Sequence, residues 1–263
     1  MQSPSKYWLL PIAAILNAPV VLAQAADVPN SVERLVVTAT GRPASDLEIP
    51  QLTSVITEQD LLRRAARTTP EALQESVGIL VQETNLGGGS PFLRGQTGNR
   101  VLVLVDGIRL NNSTFRFGPN QYLNTVDPFT IDRVEIVRGP ASVLHGSDAL
   151  GGVIHVITKR RLDYASPFDA DIRSTARLGS AAQEKTLRAD TSANYEQFGM
   201  VAGMTFRDFA DLRSGAERQD HTGYDELAGD VRLQYRIDDD HRIAFAFQRV
   251  DQDRVPRTGA FEN

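Results

Sequence analysis

The sequence predicts an α+β domain, with a small mixed sheet and short helices, followed by antiparallel β-strands of an incomplete transmembrane β-barrel. Residues 45–162 support the first part, because short apolar runs alternate there with helix-start and turn signals. Residues 163–263 support the second part, because apolar and polar residues alternate with a period of two over several segments. A leader-like segment precedes both and indicates export from the cytoplasm.

The stretch from Ile131 to Lys159 organises the first domain and reads IDRVEIVRGPASVLHGSDALGGVIHVITK. Alternation in RVEI predicts a half-buried strand that the pair GP ends. Pro140 is expected to open a short helical turn as its first residue, and Gly146 to end that turn. The pair GG allows a sharp bend before VIHVIT, a second strand rich in β-branched residues.

These residues resemble the plug domain of TonB-dependent outer-membrane receptors, which typically reads VEIVRGP, then YGS, then GGVINIIT. A second phrase, LRGQTGNRVLVLVDGIRLN, resembles the same domain. The chain departs from the family at His145, where Tyr is frequent, and at His155, where Asn is common. The resemblance implies a receptor in the cell outer membrane that imports a scarce nutrient, such as a ferric siderophore, haem or cobalamin, and needs no cofactor.

Residues 1–25 have the features of a secretory signal peptide. Lys6 supplies the positive start, Tyr7 to Leu22 is mostly apolar, and Ala23-Gln24-Ala25 has the small-x-small form of a cleavage site. We therefore expect cleavage after Ala25. The alternative, a membrane anchor, is disfavoured because prolines interrupt a stretch already shorter than the roughly 20 apolar residues of a spanning helix.

Residues 26–44 form a predicted N-terminal extension that contains an isolated β-prone run, Glu33-Arg34-Leu35-Val36-Val37-Thr38-Ala39-Thr40, between proline and glycine breakers. An extended segment of this kind can add itself to the sheet edge of another protein through main-chain hydrogen bonds. The run resembles the TonB box, which implies the periplasmic energy-transducing protein TonB as a partner. A first strand of the plug would show the same pattern.

Four local patterns organise the first half of the plug, residues 45–162. Thr57 and Asp60 have the spacing of a helix capping box. Thr69-Pro70 is expected to start a second helix that presents Leu73 and Val77 on one face and ends at Gly78. Gly87-Gly88-Gly89 is expected to be a flexible loop, since its spacing does not fit a dinucleotide fingerprint. Arg100 to Val105 is a predicted buried strand, with a hairpin turn at Asp106-Gly107.

Two plug arginines are candidates for holding the plug inside the barrel. Family members use plug arginines to pair with barrel glutamates, and the matching positions are Arg94 and Arg138. Each is followed by glycine. The alternative is that both side chains cap local carbonyls or remain solvated.

A polar loop rich in aromatic residues lies between Leu110 and Pro128 and is the first choice for ligand contact. Aromatic faces next to amide and guanidinium groups can hold a planar or metal-chelate ligand by stacking and hydrogen bonding. The alternative is that the aromatic residues pack against the barrel wall. The loop around Asn85 and Leu86 is a second apical candidate. The ligand-contact candidates of the first loop are Phe115, Arg116, Phe117, Asn120 and Tyr122.

From Asp169 the chain reads as hairpins of about 10 residues per strand, apolar on one face and polar on the other, as in outer-membrane barrels that face lipid. Tight turns are expected at Glu196 to Phe198 and at Asp238 to Asp240, and a long polar loop from Asp208 to Tyr224. A soluble β-sandwich would show the same period. The predicted strands are centred on Ile172–Leu178, Leu187–Ala193, Met200–Phe206, Val231–Tyr235 and Ile243–Phe247.

Composition and motifs narrow the function. A formal net charge of −5 with interspersed charges disfavours a nucleic-acid surface, and the absence of cysteine removes thiolate chemistry. No esterase elbow, zinc-protease motif or phosphate loop occurs, and Ser142, His145 and Asp148 do not promise a triad. His221 is a candidate axial haem ligand, and Asp220 with Asp225 a candidate calcium site, each against a solvated loop as the alternative.

Length adds an expectation about completeness. Plugged transporters have about 22 strands, whereas residues 163–263 hold about five, so we expect an N-terminal fragment of a longer receptor. The alternative function is an outer-membrane adhesin or passive channel that shares the barrel but does not need the segment from Glu33 to Thr40. Neither function involves catalysis, and no metal site is expected.

Overall fold

The computed structural model describes residues 35–36, 38, 44–45, 52–85, 87–111, 122–161, 168–180, 183–214, 217–218, 222–253 and 255. All of these belong to one compact unit, Arg34–Asn263. The strands are β1 Leu35–Val36, β2 Ala44–Ser45, β3 Leu52–Thr57, β4 Ile79–Asn85, β5 Gly88–Leu93, β6 Val101–Val105, β7 Ile108–Arg109, β8 Ile131–Arg138, β9 Gly152–Thr158, β10 Phe168–Gly179, β11 Glu184–Tyr195, β12 Phe198–Phe209, β13 Arg213–Ser214, β14 Glu217–Arg218, β15 Tyr224–Arg236 and β16 Arg242–Asp253. The α-helices are α1 Glu58–Arg64 and α2 Ser142–His145.

A five-stranded mixed sheet, in the order β3-β8-β9-β6-β7, forms the centre of the predicted plug. Strands β6 and β9 run parallel, and the other neighbours are antiparallel. The main core packs on this sheet and includes Leu73, Leu93, Ile131, Ile136 and Ile154. Strand β8 was expected to be half-buried, but even Glu135 has no exposed surface. That prediction was wrong because β8 is an interior strand with residues packed on both of its faces.

Helix α1 begins as the sequence predicts. The side chain of Thr57 accepts a hydrogen bond from the backbone N–H of Asp60, and the Asp60 carboxylate accepts one from the backbone N–H of Thr57, at 3.3 and 2.9 Å. The capping box is therefore confirmed. The first turn of α1 carries Glu58 and Asp60, and the last turn carries Arg63 and Arg64. These charges complement the helix dipole.

The second predicted helix is only one 3-10 turn, Glu71–Leu73. Leu73 is fully buried, but Val77 is 80% exposed, so the expectation that both lie on one packed face was wrong. The chain reverses instead through turns that bond Ser76 to Leu73 and Ile79 to Ser76, because Ile79 must enter β4. Gly78 adopts a φ of +75° within this reversal, a conformation that favours glycine.

The glycines expected to form a loop at 87–89 instead lead into β5, which pairs with β4 as a separate two-stranded sheet. A side chain at Gly89 would place its Cβ 2.6 Å from the Cβ of Pro70. Glycine at this position therefore permits a close approach between β5 and the turn at Pro70 and does not confer a flexible loop.

The corner between β8 and β9 has the predicted order with one shift. Gly146 ends α2 as expected, but the helix begins at Ser142, so Pro140 precedes it and is not its first residue. A backbone hydrogen bond from Ala141 to Ala149 closes the corner around the helix. At Gly152, φ is +145° and a Cβ would lie 2.2 Å from the carbonyl oxygen of Val137, so only glycine fits there.

The five predicted hairpin strands form a second sheet, the meander sheet, in the order β10-β11-β12-β15-β16. Every neighbouring pair is antiparallel, which confirms the strand prediction. Glu196-Gln197 is a tight turn, and the predicted long loop between Phe209 and Tyr224 contains the small hairpin β13-β14. Within the described residues β10 and β16 are the two edges of this sheet, so the barrel is not closed there.

The two faces of the meander sheet differ in polarity. On one face, exposed apolar side chains lie in cross-strand rows, such as Leu187, Phe206 and Leu227. A second row at the tight-turn end holds Tyr195, Phe198 and Tyr235. On the other face lie buried polar residues, which pack towards the mixed sheet: Thr186, Arg188, Asn194, Thr205, Arg207, Glu226 and Gln234.

No helix among the described ranges combines the length and the hydropathy needed to cross a bilayer.

Candidate functional site

The candidate site is the polar interface between the mixed-sheet domain and the meander sheet, and Asp127 lies at its centre. Asp127 precedes the 3-10 turn Pro128–Thr130 and accepts a 3.0 Å hydrogen bond from the backbone N–H of Phe129. This cap fixes the carboxylate at the end of the turn. The side chain is only 1% exposed, so its charge needs partners from the facing sheet.

Three side chains of the meander sheet supply those partners. Thr205 Oγ1 donates to Asp127 Oδ2 at 2.5 Å, and Arg188 Nη1 lies 3.3 Å from the same oxygen. Arg207 Nη2 donates to the other carboxylate oxygen, Oδ1. We call this set, Asp127 with Arg188, Thr205 and Arg207, the Asp127 lock. It joins the two parts of the fold by charge-assisted hydrogen bonds among side chains that are almost fully buried.

Arg188 lies flat across β12, and a glycine makes room for it. A Cβ at Gly203 would lie 2.2 Å from Arg188 Nη2 and 2.6 Å from its Cζ. Any larger residue at position 203 would therefore push the guanidinium away from Asp127.

Other carboxylates complete the charge balance of the lock. Arg188 Nη1 also donates to Asp230 Oδ1 at 2.9 Å, and Arg207 Nη1 donates to Glu226. The Arg207 guanidinium lies 5.3 Å from the ring centroid of Phe129, which adds a cation–π contact across the same interface. Both arginines thus bridge a plug residue and a carboxylate of their own sheet.

Asp127 is ionised in this setting. Burial by itself raises the pKa of Asp127, but Arg207, the hydroxyl of Thr205 and Arg188 outweigh that effect, and the pKa lies below the usual value of 3.8. An ionised carboxylate between two arginines holds the plug against the strands most strongly at neutral pH.

A second polar contact joins the sheets at Asp106, in the predicted hairpin turn. Asp106 accepts hydrogen bonds from Thr158 N at 3.0 Å, Thr158 Oγ1 at 2.5 Å and Arg232 Nη1 at 2.5 Å. Burial raises the pKa of Asp106, but these partners lower it by more, so the carboxylate is ionised. The contact fixes the β6-β7 hairpin against β15.

A third contact lies beside α1. Glu58 Oε1 is 2.8 Å from Lys159 Nζ and 3.0 Å from Arg173 Nη1. Arg177 Nη1 donates to the carbonyl oxygens of Ala65 and Ala66 at 2.8 and 3.1 Å, which satisfies carbonyl groups at the C-terminal end of α1. The plug is therefore tied to β10 as well as to β11, β12 and β15.

The predicted TonB box lies partly within the described residues. Leu35–Val36 pairs with Ala44–Ser45 as a two-residue antiparallel ladder outside the mixed sheet. Thr38 is 3% exposed and bonds to Glu135, His145 and His155 of the plug. Glu33, Arg34, Val37, Ala39 and Thr40 lie outside the described residues.

The arginines chosen from the sequence have only local contacts in the described part of the chain. Arg138 Nη2 donates to Ser54 Oγ at 2.8 Å, within the mixed sheet. Arg94 is exposed, with a φ of +52°. No bond between either arginine and a described residue of the meander sheet is present, so their role as locks stays a prediction.

In the Asp127 lock the charges are reversed relative to the predicted lock. The carboxylate lies on the plug and the arginines lie on the strands. Asp127-Pro128 carries a signal for the cap, because Asp before Pro is a helix-start pattern. Arg188 and Arg207 fall on the polar phase of their strands. Nothing in the sequence says that these three residues meet.

The predicted ligand loop falls mainly outside the described residues, which leaves Phe115, Arg116, Phe117 and Asn120 untested. Tyr122 begins the 3-10 turn Tyr122–Thr125 and is half-buried. Next to the second candidate loop, a Cβ at Gly87 would lie 2.7 Å from Val255 and 3.6 Å from Tyr224. Tyr224 is at the long-loop end of β15, so the turn at Gly87 lies at that end.

Of the candidates for a bound metal or haem, Asp225 lies among the described residues, on β15. His221 and Asp220 lie outside the described residues. Across the described ranges, no group of three or more potential ligands has the arrangement of a metal site.

Sequence comparison identifies the domain. Residues 45–153 match the TonB-dependent Receptor Plug Domain family. The iron-regulated outer membrane virulence protein of Vibrio cholerae is 30% identical over 249 residues, which is 90% of this chain and 36% of the relative. The hemin receptor of Yersinia pestis is 35% identical over 161 residues, 60% of this chain and 23% of the relative. The chain thus spans about a third of the first relative's length.

Solved structures agree on the fold. The pyoverdine outer membrane receptor FpvA of Pseudomonas aeruginosa superposes with a TM-score of 0.66 at 19% identity, over 83% of this chain and 30% of that chain. The copper transporter OprC has a TM-score of 0.65 at 21% identity, over 76% and 30% of the two chains. Both likenesses concern the fold of this chain.

The mixed-sheet domain belongs to the TonB-dependent receptor plug family. The meander sheet that follows it has the fold of antiparallel barrel strands, as in the solved outer-membrane proteins above.

Proposed function

We propose that this chain provides the plug and the first barrel strands of a TonB-dependent transporter that imports a scarce nutrient, such as a ferric siderophore, haem or cobalamin. The observation that carries the proposal is the Asp127 lock, which holds the plug on the polar face of the strands through an ionised carboxylate. The proposed chemistry is binding and gated passage, in which no covalent bond of the ligand changes.

The strength of the interface supports a gate in preference to an open channel. The Asp127 lock, the Asp106 contact and the Glu58 contact tie the plug to four of the five strands of the meander sheet. A buried ion pair that loses one partner costs several kcal/mol, about 3–5. Passage along this interface therefore requires work on the plug.

The segment with Leu35–Val36 is where that work would enter. Its ladder to Ala44–Ser45 is only two residues long, so an added strand from a partner can replace it with a longer one. Relatives named as an iron-regulated outer membrane protein, a hemin receptor and a vitamin B12 transporter support the choice of nutrients. They do not select one among them.

The test is uptake by cells that carry the receptor, measured in parallel for haem, a ferric siderophore and cobalamin. Each measurement is made in cells with TonB and in matched cells without it. We expect saturable uptake of one ligand class, lost without TonB. Surface binding of that ligand should remain in both strains, because binding precedes the energised step.

Uptake of no ligand, or uptake equal in the two strains, would contradict the proposal. Equal uptake proportional to ligand concentration would favour a passive channel. Cell adhesion without uptake would favour an adhesin.

A further inference from the structure

Thr38 is held by three plug side chains that come from different elements. Glu135 Oε2, on β8, accepts hydrogen bonds from Thr38 N at 2.8 Å and from Thr38 Oγ1 at 2.6 Å. His155 Nδ1, on β9, lies 2.9 Å from Thr38 Oγ1. His145 Nε2, at the end of α2, lies 2.7 Å from the Thr38 carbonyl oxygen. Every polar group of Thr38 is thus bonded to the plug.

The hydrogen atoms of this cluster are fixed by its geometry. The backbone N–H of Gly107 can only donate, and it points at His155 Nε2 from 3.0 Å. Nε2 must therefore be unprotonated, which places the single ring proton on Nδ1. Nδ1–H then donates to Thr38 Oγ1, whose own hydrogen goes to Glu135. All donors and acceptors are satisfied only while His155 is neutral.

The charges around His155 come from each element packed on it. Glu135 and Arg133 face it from β8, Asp106 from the β6-β7 turn and His145 from α2. Burial lowers the pKa of His155, the two carboxylates oppose this, and His145 and Arg133 reinforce it, so the pKa lies below the usual 6.5. Glu135 has no exposed surface and also pairs with Arg133, at 2.9 Å.

We propose that Glu135, His145 and His155 form a docking surface that holds the segment around Thr38 on the plug while His155 is neutral and releases it when His155 is protonated. Protonation adds a hydrogen atom to His155 Nε2, so that this N–H and the backbone N–H of Gly107 face each other as two donors. The ring must turn to avoid this, and Nδ1 then leaves Thr38. His145 Nε2 donates to the Thr38 carbonyl oxygen and helps to hold the segment.

This inference rests on the proposed function, because it describes how the segment that would pair with TonB is withheld or offered. A docked Thr38 keeps its backbone N–H and C=O on the plug, where an added strand cannot reach them. The docked state is favoured at pH 7 and weakens as the pH falls through about 6.5, since the released ring takes up a proton more readily than the docked one.

Residues 1–263 contain no cysteine, so Thr40→Cys introduces one thiol into this chain for a nitroxide label. Any cysteine in the remaining part of the receptor is replaced by serine. The paramagnetic resonance spectrum of the labelled receptor in isolated outer membranes without TonB gives the ratio of mobile to immobile label. We expect Thr38→Val to raise this ratio about tenfold or more at pH 7.5, because charge-assisted hydrogen bonds are lost. Thr38→Ser keeps the hydroxyl and should match the unaltered segment.

The proton dependence is tested in the same membranes. We expect the mobile-to-immobile ratio to rise about threefold or more between pH 7.5 and 5.5. His155→Asn, which cannot titrate in this range, should remove the rise, whereas His241→Asn, in an exposed turn, should retain it. Equal ratios for Thr38→Val and the unaltered segment would overturn the docking surface, and a pH response that survives His155→Asn would overturn the proton control.

The result is separable from the proposed function. The label reports docking without ligand, TonB or uptake. Docking without TonB-dependent uptake would reject the proposed function alone, and uptake without docking would reject the docking surface alone.

Discussion

The carboxylate of Asp127 and the hydroxyl of Thr205 lie 2.5 Å apart across the interface between plug and strands, 78 residues apart in sequence. Arg188 and Arg207 form ion pairs with the same carboxylate, and all four side chains are nearly or fully buried. Any movement of the Asp127 turn away from the strands must separate these groups. The lock therefore sets much of the resistance of the plug to displacement.

Asp127→Asn should loosen the plug by about 3 kcal/mol, because two buried arginines lose their shared charge partner. Limited proteolysis of the receptor in membranes at rising urea concentration measures this loss. The change should move plug cleavage to lower urea. Asp239→Asn, whose side chain is 99% exposed, serves as the control and should leave the profile unchanged. Equal profiles for the two variants would contradict the lock.

Gly203→Ala should weaken the same lock without touching a charge. The added Cβ would overlap the Arg188 guanidinium, and overpacking of this kind costs about 1–3 kcal/mol. Gly229→Ala on the neighbouring strand is the matched control, since the nearest atom to its Cβ would be 4.0 Å away. The urea profile should shift for the first variant and stay within error for the second.

The sequence was sufficient to predict this architecture but not its lock. The strands β10, β11, β12, β15 and β16 follow from alternation alone, because one face carries exposed apolar side chains and the other carries polar groups. Asp127 and Arg207 are 80 residues apart, and no local pattern encodes their pairing. The resemblance instead directed attention to Arg94 and Arg138, whose described contacts are local.

Acid should weaken the Asp106 contact in a defined direction. The pKa of Asp106 is lowered in the folded chain, so its contribution is complete above the usual value of 3.8 and is lost as the pH falls through the lower folded value. Plug stability measured against pH should therefore show a constant advantage over Asp106→Asn above about pH 5, shrinking below about pH 4. A difference independent of pH would contradict this account.

Thr57→Ala should remove the capping box of α1 and lower plug stability by about 1 kcal/mol, the typical cost of a lost N-cap. Thr57→Ser keeps a hydroxyl that can accept from Asp60 N and should stay close to the unaltered chain. Thermal unfolding of the plug followed by circular dichroism distinguishes the two. Equal loss in both variants would assign the effect to the methyl group.

The predictions that failed share a cause. Locally, Gly87-Gly88-Gly89 indicates a loop and Thr69-Pro70 indicates the start of a helix. In the fold the two segments meet, and Gly89 is needed where β5 approaches Pro70. Likewise Glu135 reads as a solvent-facing residue of a half-buried strand, whereas the segment at Thr38 covers it. Contacts between segments distant in sequence override local preference in both cases.

The central claim is that a partner strand added at Leu35–Val36 pulls on the plug and opens the Asp127 lock. Uptake of the transported ligand by cells carrying Val36→Pro, compared with Val36→Ala, tests it most directly, because only proline removes the backbone N–H that a partner strand needs. The account predicts that Val36→Pro abolishes uptake while surface binding persists. Val36→Ala should retain most of the uptake. Uptake that survives Val36→Pro would contradict the account.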